Sequence, residues 1–334
     1  MAQQAGLAAR LVRSGRRLEV STASKQSLVP SALPDDGQRR QDILLPPSFL
    51  HGPEIHLSCP VVALFQRYIG IDYSGAQTPA DSLPGLRIYQ ATALRAPEEV
   101  PPPPSPRKYW TRREIAEWLV EQLSPAGAER TLVGIDHGFS FPLKYFQRYN
   151  LPLRWPEFLA DFQKYWPTHE QIYVCFVRDG IRGDASARCG DPRWRRLTEV
   201  RAGRAKSVFH FDVPGSVAAS THAGLPWLLY LRNHLGGRLH CWPFDGWDIP
   251  THSSAIAEVY PALWNKTLPQ ENRTRDQHDA FPIAARLRQF DSDGTLPRLL
   301  SPQLSPVDRA TAEIEGWILG VEGTVDLPMP RRIM

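Results

Sequence analysis

Apolar residues fall along the chain in two recurring patterns, short continuous runs and runs with helical spacing. The continuous runs predict strands: "RYIGIDYSG" (67–75), "GLRIYQATAL" (85–94), "RTLVGIDHGFSFP" (130–142), "KSVFHFDV" (206–213), "GRLHCWPF" (237–244) and "SSAIAEVYP" (253–261). Helical spacing marks "TRREIAEWLVEQL" (111–123), where Ile115, Trp118, Leu119 and Leu123 follow a Thr cap. The same spacing marks "WPEFLADFQKYW" (155–166), "GLPWLLYLRNHL" (224–235) and "DQHDAFPIAARLRQF" (276–290). Pro282 inside the last of these predicts a kink or a later start. Strands interleaved with helices predict an α/β domain with helices on both faces of the sheet.

Outside these segments the pattern lapses. Residues 1–62 read as a low-complexity, disordered extension: the opening has arginines and hydroxyls, and "PSALPDDGQRRQDILLPP" continues as polar, proline-rich linker. An organelle presequence competes with that reading. "APEEVPPPPSP" (96–106) reads as a polyproline-like surface connector. The folded domain is expected over 63–325, with a tail over 326–334.

Composition narrows the class. With 334 residues, 42% hydrophobic and 22% charged, the chain suits a globular domain. No apolar run approaches the roughly 20 residues that cross a bilayer, so no membrane partner is expected. Four scattered cysteines without a CxxC pair favour a reducing, cytoplasmic location over a zinc or redox site. A net charge of +4 permits an anionic partner without demanding one.

The candidate chemistry lies in acidic residues at strand ends. "YIGIDYSG" and "LVGIDHGFS" share one design, an apolar strand and then Gly-Ile-Asp, which puts Asp72 and Asp136 at carboxyl ends where α/β sheets bind ligands. Neighbouring strands lie about 5 Å apart, so the two carboxylates would repel unless a cation lay between them. Oxygen ligands suit Mg²⁺ or Mn²⁺. Glu258 ends another strand in "AIAEVYP", and Asp276 and Asp279 share one face of the last helix. Each has a competing role: Asp276 as the cap of its helix, Glu258 as the partner of an arginine. Carboxylates from several elements around metal ions are the apparatus of phosphodiester hydrolysis.

The order strand Asp, strand Asp, strand Glu, helix Asp-x-x-Asp resembles the ribonuclease H-like superfamily. "GIDYSGA", "VGIDHGFSFP", "AEVYPALW", "DQHDAFPIAARL" and "EGWILGV" resemble, in order, the family called domain of unknown function 429, described as RNase H-like nucleases. They span roughly residues 66–321. The resemblance implies an RNase H-like mixed five-stranded sheet flanked by helices, with an inserted helical and loop region over roughly 145–250 acting as a substrate-specific cap. It implies Mg²⁺- or Mn²⁺-dependent cleavage of nucleic acid, DNA or RNA. Asp72, Asp136, Glu258 and Asp279 would be catalytic, and these four with Asp276 the metal ligands.

A nuclease also needs cations for phosphates. "DPRWRRLTEVRAGRAKS" offers Arg193, Arg195, Arg196, Arg201, Arg204 and Lys206, with a solvated surface face as the competing role. Two other functions stand beside the nuclease. A phosphotransferase of the actin and sugar-kinase type would need a second such domain, and the second Gly-Ile-Asp follows too soon for that. An inert RNase H-like module binding nucleic acid or protein would not need the acidic residues.

Overall fold

The computed structural model describes residues 62–323 apart from Ser105 and Ala126. Except for its last residue, the expected extension over 1–62 lies outside the described residues, as does the tail over 326–334.

The core is a six-stranded mixed sheet in the order β3-β2-β1-β4-β6-β5, flanked by helices. Strand β1 (Arg67–Asp72) runs antiparallel to β2 (Arg87–Thr92), and β2 antiparallel to β3 (Glu98–Glu99). On its other side β1 runs parallel to β4 (Thr131–Ile135), β4 to β6 (Ser254–Glu258), and β6 to the short β5 (Leu239–Cys241). The sheet thus has one strand more than the five expected. The added strand is the short edge β3, which comes from the stretch expected to be a connector, whereas β5 falls within the strand expected over 237–244. Short, charged edges such as Glu98–Glu99 discourage pairing with other chains.

The two Gly-Ile-Asp runs lie side by side. Gly70 pairs with Gly134 and Ile71 with Ile135, and Gly134 pairs in turn with Ala257. Alternation along a strand puts these small residues on one face and the isoleucines on the other. Across the small-residue face lies α7 (Arg275–Ser292), packed through Ala280, Ile283, Ala284 and Leu287. A Cβ at Gly70 would stand 2.6 Å from the Ala280 carbonyl oxygen and the Ala284 nitrogen, so the glycine sets how closely this helix approaches. Thr274 caps α7 in a reciprocal box with Gln277, leaving Asp276 free of the capping role. The helix starts at Arg275 and continues through Pro282.

The isoleucine face packs on α1 (Arg112–Leu123) and α6 (Ala218–Leu235). Thr111 caps α1 with Glu114, as its sequence predicts. Between β4 and α6 lie α2 (Leu143–Tyr149), α3 (Trp155–Tyr165), α4 (Val174–Arg178) and α5 (Leu197–Arg201). Phe158 and Phe162 of α3, with Phe141 and Phe209 from the flanking loops, join the same core as Ile71 and Ile135, so this region is part of the domain's packing. The strand expected over 206–213 is instead a turn. Ser207 Oγ accepts from the Phe209 amide, and the His210 amide donates to the Ser207 carbonyl. Helices α8 (Leu296–Leu300) and α9 (Pro306–Glu315) follow α7, and Ile318 then bridges to Glu258. Among the described residues no helix is long and apolar enough to cross a membrane.

Candidate metal centre

Parity decides which acidic side chains meet. Asp72 follows Ile71 and Asp136 follows Ile135, so both turn toward the small-residue face and α7. The Asp136 amide donates to the Ile71 carbonyl at 3.0 Å, keeping the two strand ends together. Asp276 and Asp279, in the first turns of α7, overhang them. The proximity shows in the electrostatics. The Asp72 carboxyl is raised well above the usual carboxylate range, first by burial and then by the charges of Asp136, Asp279 and Asp276. Asp136 is raised likewise, by burial and then by Asp279 and Glu258. Asp279 Oδ1 accepts a hydrogen bond from Asn265 Nδ2 at 3.1 Å, and its Oδ2 lies 3.9 Å from the exposed Arg275. Among the described residues Asp72, Asp136 and Asp276 have no ion-pair partner.

Glu258 borders the same cleft as Asp136 but is engaged differently. Its register partner is Ile135, so it points to the opposite face of the sheet. There both of its oxygens are taken by Arg196, at 2.7 Å and 2.6 Å, and the Phe139 amide donates to Oε2 at 3.0 Å. Arg196 also holds Glu199 through Nε at 2.9 Å. A metal at Glu258 would have to displace a buried, hydrogen-bonded guanidinium, which is costly. Its role in the structure is to pin the loop after Asp136 and to anchor Arg196.

The loop after Asp72 is held by a residue that pattern reading did not single out. Arg112, only 1% exposed, donates to the carbonyls of Ser74 at 3.1 Å, Ala76 at 2.6 Å and Gln77 at 2.9 Å. Gly75 lies against the first turn of α6, where a Cβ would come within 2.2 Å of Ala219 backbone atoms. An arginine opening an amphipathic helix looks solvent-facing in sequence, which is why it was missed. Asn265 was missed as well, since a polar residue in a loop carries no signal. His137 is buried, with Nδ1 2.9 Å from the Gly138 carbonyl, and burial lowers its pKa to about 4. It is neutral at physiological pH and packs edge-on to Tyr73, behind the carboxylates.

The arginine-rich segment is largely engaged within the protein. Arg196 is fully buried and so cannot contact a nucleic-acid backbone. Arg193 pairs with Asp191, Arg201 with Asp308 at 2.6 Å, and Arg195 donates to the carbonyls of Glu199, Gly203 and Ala205. Lys206 donates to the Pro214 carbonyl, yet with Tyr260, Val217 and Asp136 it lines a narrow cleft at the site. The exposed Arg204 is close enough to Tyr260 to oppose the rise that burial and Asp136 impose on its phenol. Of the six predicted cations, Lys206 and the engaged, buried Arg196 line the cleft with Asp136, and Arg204 lies near Tyr260 at its edge.

Compared with family models, with curated proteins and with solved structures, the chain finds no match in any of the three. Among the described residues no three His, Cys, Asp or Glu side chains stand ready-placed around a metal ion. The donor chemistry nonetheless fits a hard cation: oxygen-only ligands whose crowded charges raise Asp72 and Asp136.

Proposed function

We propose that the protein is a divalent-metal-dependent phosphodiester hydrolase acting on nucleic acid, with Asp72, Asp136 and Asp279 as the metal-holding residues and Asp276 beside them. The observation that supports this reading is that aspartates at the end of β1, just after β4 and in the first turns of α7 lie close enough to raise the Asp72 and Asp136 carboxyls, three of the four without an ion-pair partner among the described residues. Crowding buried carboxylates destabilises a fold unless a ligand offsets it. A bound Mg²⁺ or Mn²⁺ would supply that offset and, with it, activation of water toward a phosphodiester. The sheet order, with β3-β2-β1 antiparallel and β1-β4-β6 parallel, supports an RNase H-like reading. So does the placement of aspartates at the end of β1, just after β4 and on a late helix.

The protein's own groups divide the work. Asp72 and Asp136 are fixed by paired strand ends, and Asp279 is oriented by Asn265. Arg112 holds the loop that leaves Asp72, and Glu258 with Arg196 holds the loop that leaves Asp136. Lys206, which lines the cleft, and Arg204 near Tyr260 would be the cations that meet a phosphate.

The test is a calorimetric titration of Mn²⁺ into the wild type and Asp72→Asn, followed by digestion of DNA and RNA with and without EDTA. Saturable binding by the wild type, at least about tenfold weaker in the variant, is expected. A well-folded wild type that binds no metal, alone or with an oligonucleotide present, would overturn the assignment. Oligonucleotide binding that ignores the metal would mark an inert binding module instead.

A further inference from the structure

A second cavity, of about 480 Å³, opens on the other side of the segment that borders the Asp136 cleft. Gly215 and Val217 line the cleft, whereas Val213, Pro214 and Ser216 line this cavity, so the two share one thin wall. Another wall is Gly75–Gln77, the loop that leaves Asp72. Its size suits one or two flat rings.

Phe211, on the cavity wall, lies against both a buried tryptophan and an arginine. Trp166, buried in the core, lies parallel to Phe211 at 6.2 Å with an interplanar angle of 3°. The Arg178 guanidinium lies 5.5 Å over the Phe211 ring. Arg178 is fixed there by Asp179 at 2.8 Å and by both oxygens of Asp212, at 2.8 Å and 3.0 Å. Asp212 reaches it from a left-handed backbone conformation, φ 61°, which costs a non-glycine residue energy. Two carboxylates offset the charge of Arg178, whose side chain is 31% exposed and lines the cavity. A charge so engaged is a poor phosphate anchor, but a fixed guanidinium plane is a stacking platform. Tyr173, 39% exposed, adds a ring to the wall.

We propose that this cavity receives an unpaired nucleobase of a single-stranded nucleic acid, stacked on Arg178 beside Phe211 and Tyr173. The inference rests on the nucleic-acid reading of the neighbouring carboxylates and narrows it. A duplex keeps its base faces stacked on one another, so the cavity selects single strands or frayed ends.

The test is fluorescence anisotropy with fluorescein-labelled single-stranded and duplex oligonucleotides, in EDTA, so that neither metal nor cleavage enters. Arg178→Ala, Arg178→Lys and Tyr173→Ala are compared with the wild type, each first shown to melt cooperatively. The wild type should prefer the single strand. Arg178→Ala should weaken it by roughly tenfold, the usual cost of losing one stacked base. Arg178→Lys should be no better than alanine, because it keeps the charge and loses the plane. Equal affinity for duplex, unchanged binding in both Arg178→Ala and Tyr173→Ala, or full rescue by lysine would overturn the proposal, the last by revealing a phosphate contact. The two readings fail separately. Single-strand binding that depends on Arg178 without any Mn²⁺ binding would sustain the cavity and sink the hydrolase. Metal-dependent cleavage with a KM indifferent to Arg178 would do the reverse.

Discussion

Asp72 and Asp136 each keep a proton more readily than a free aspartate, and this gives the metal-free protein a pH dependence of known sign. Their pKa values are raised above 3.8 in the folded chain, so folding favours the protonated form. The stability they contribute is complete below that value and is lost as pH rises through the raised ones. The buried His137 and His222, lowered to about 4 and about 3, act in the opposite sense below pH 6.5. The clean comparison is therefore wild type against Asp72→Asn, in EDTA, between about pH 6.5 and 8.5. The variant should be the more stable by about 1 kcal/mol or more in urea denaturation, and Mn²⁺ should narrow or reverse the difference. A variant less stable than the metal-free wild type would contradict the crowding. At this scale the sequence was legible where a carboxylate ends a β-strand or lies on the face of a long helix. Glu258 shows the limit. "AIAE" and "VGID" both end in an acid, but register aligns Glu258 with Ile135 rather than with Asp136. An offset of one residue reverses the face, and only the paired strands reveal it.

Among the elements, the approach of α7 to β1 and β4 is the contact on which the centre depends, because α7 carries Asp276 and Asp279. Gly70→Ala would push a methyl into the helix backbone at 2.6 Å. Overpacking of this kind costs about 1–3 kcal/mol, and here it should also weaken Mn²⁺ binding by displacing Asp279. Calorimetry and urea denaturation on one preparation would show both effects; lost stability with unchanged metal affinity would separate the glycine from the site. Strands β1, β2 and β4 and helices α1 and α7 were legible because their apolar spacing runs for several residues and caps or turns bound them. The segment 206–213 was not. Val208 and Phe209 are buried as strand residues would be, but Ser207 bonds the local backbone and closes a turn. β3 hid among prolines, and α2, α4 and α5 are too short to establish a period.

For the molecule as a whole, the long region between β4 and β6 looked in sequence like an addition to a smaller domain. Its aromatic residues are instead packed with the isoleucine face of the sheet. Excising residues 145–217 should leave that face exposed and give an insoluble or molten product, judged by lost near-ultraviolet dichroism. A cooperative melt in the shortened chain would show that the sheet is independent of the region. The mixed α/β class and the helices on both faces were readable from alternating element types. The strand count was not, since a two-residue edge among prolines leaves almost no pattern.

The glycine pair has a consequence for inheritance. Gly70 and Gly134 are register partners, and a Cβ on either would press on the same residue, Ile283. The first substitution would force the helix outward; once it has moved, the second meets less resistance. The two positions should therefore show epistasis, with the double variant harmed less than the sum of its single changes. A lineage that loses one of these glycines is released from most of the selection that keeps the other, and the two would tend to disappear together.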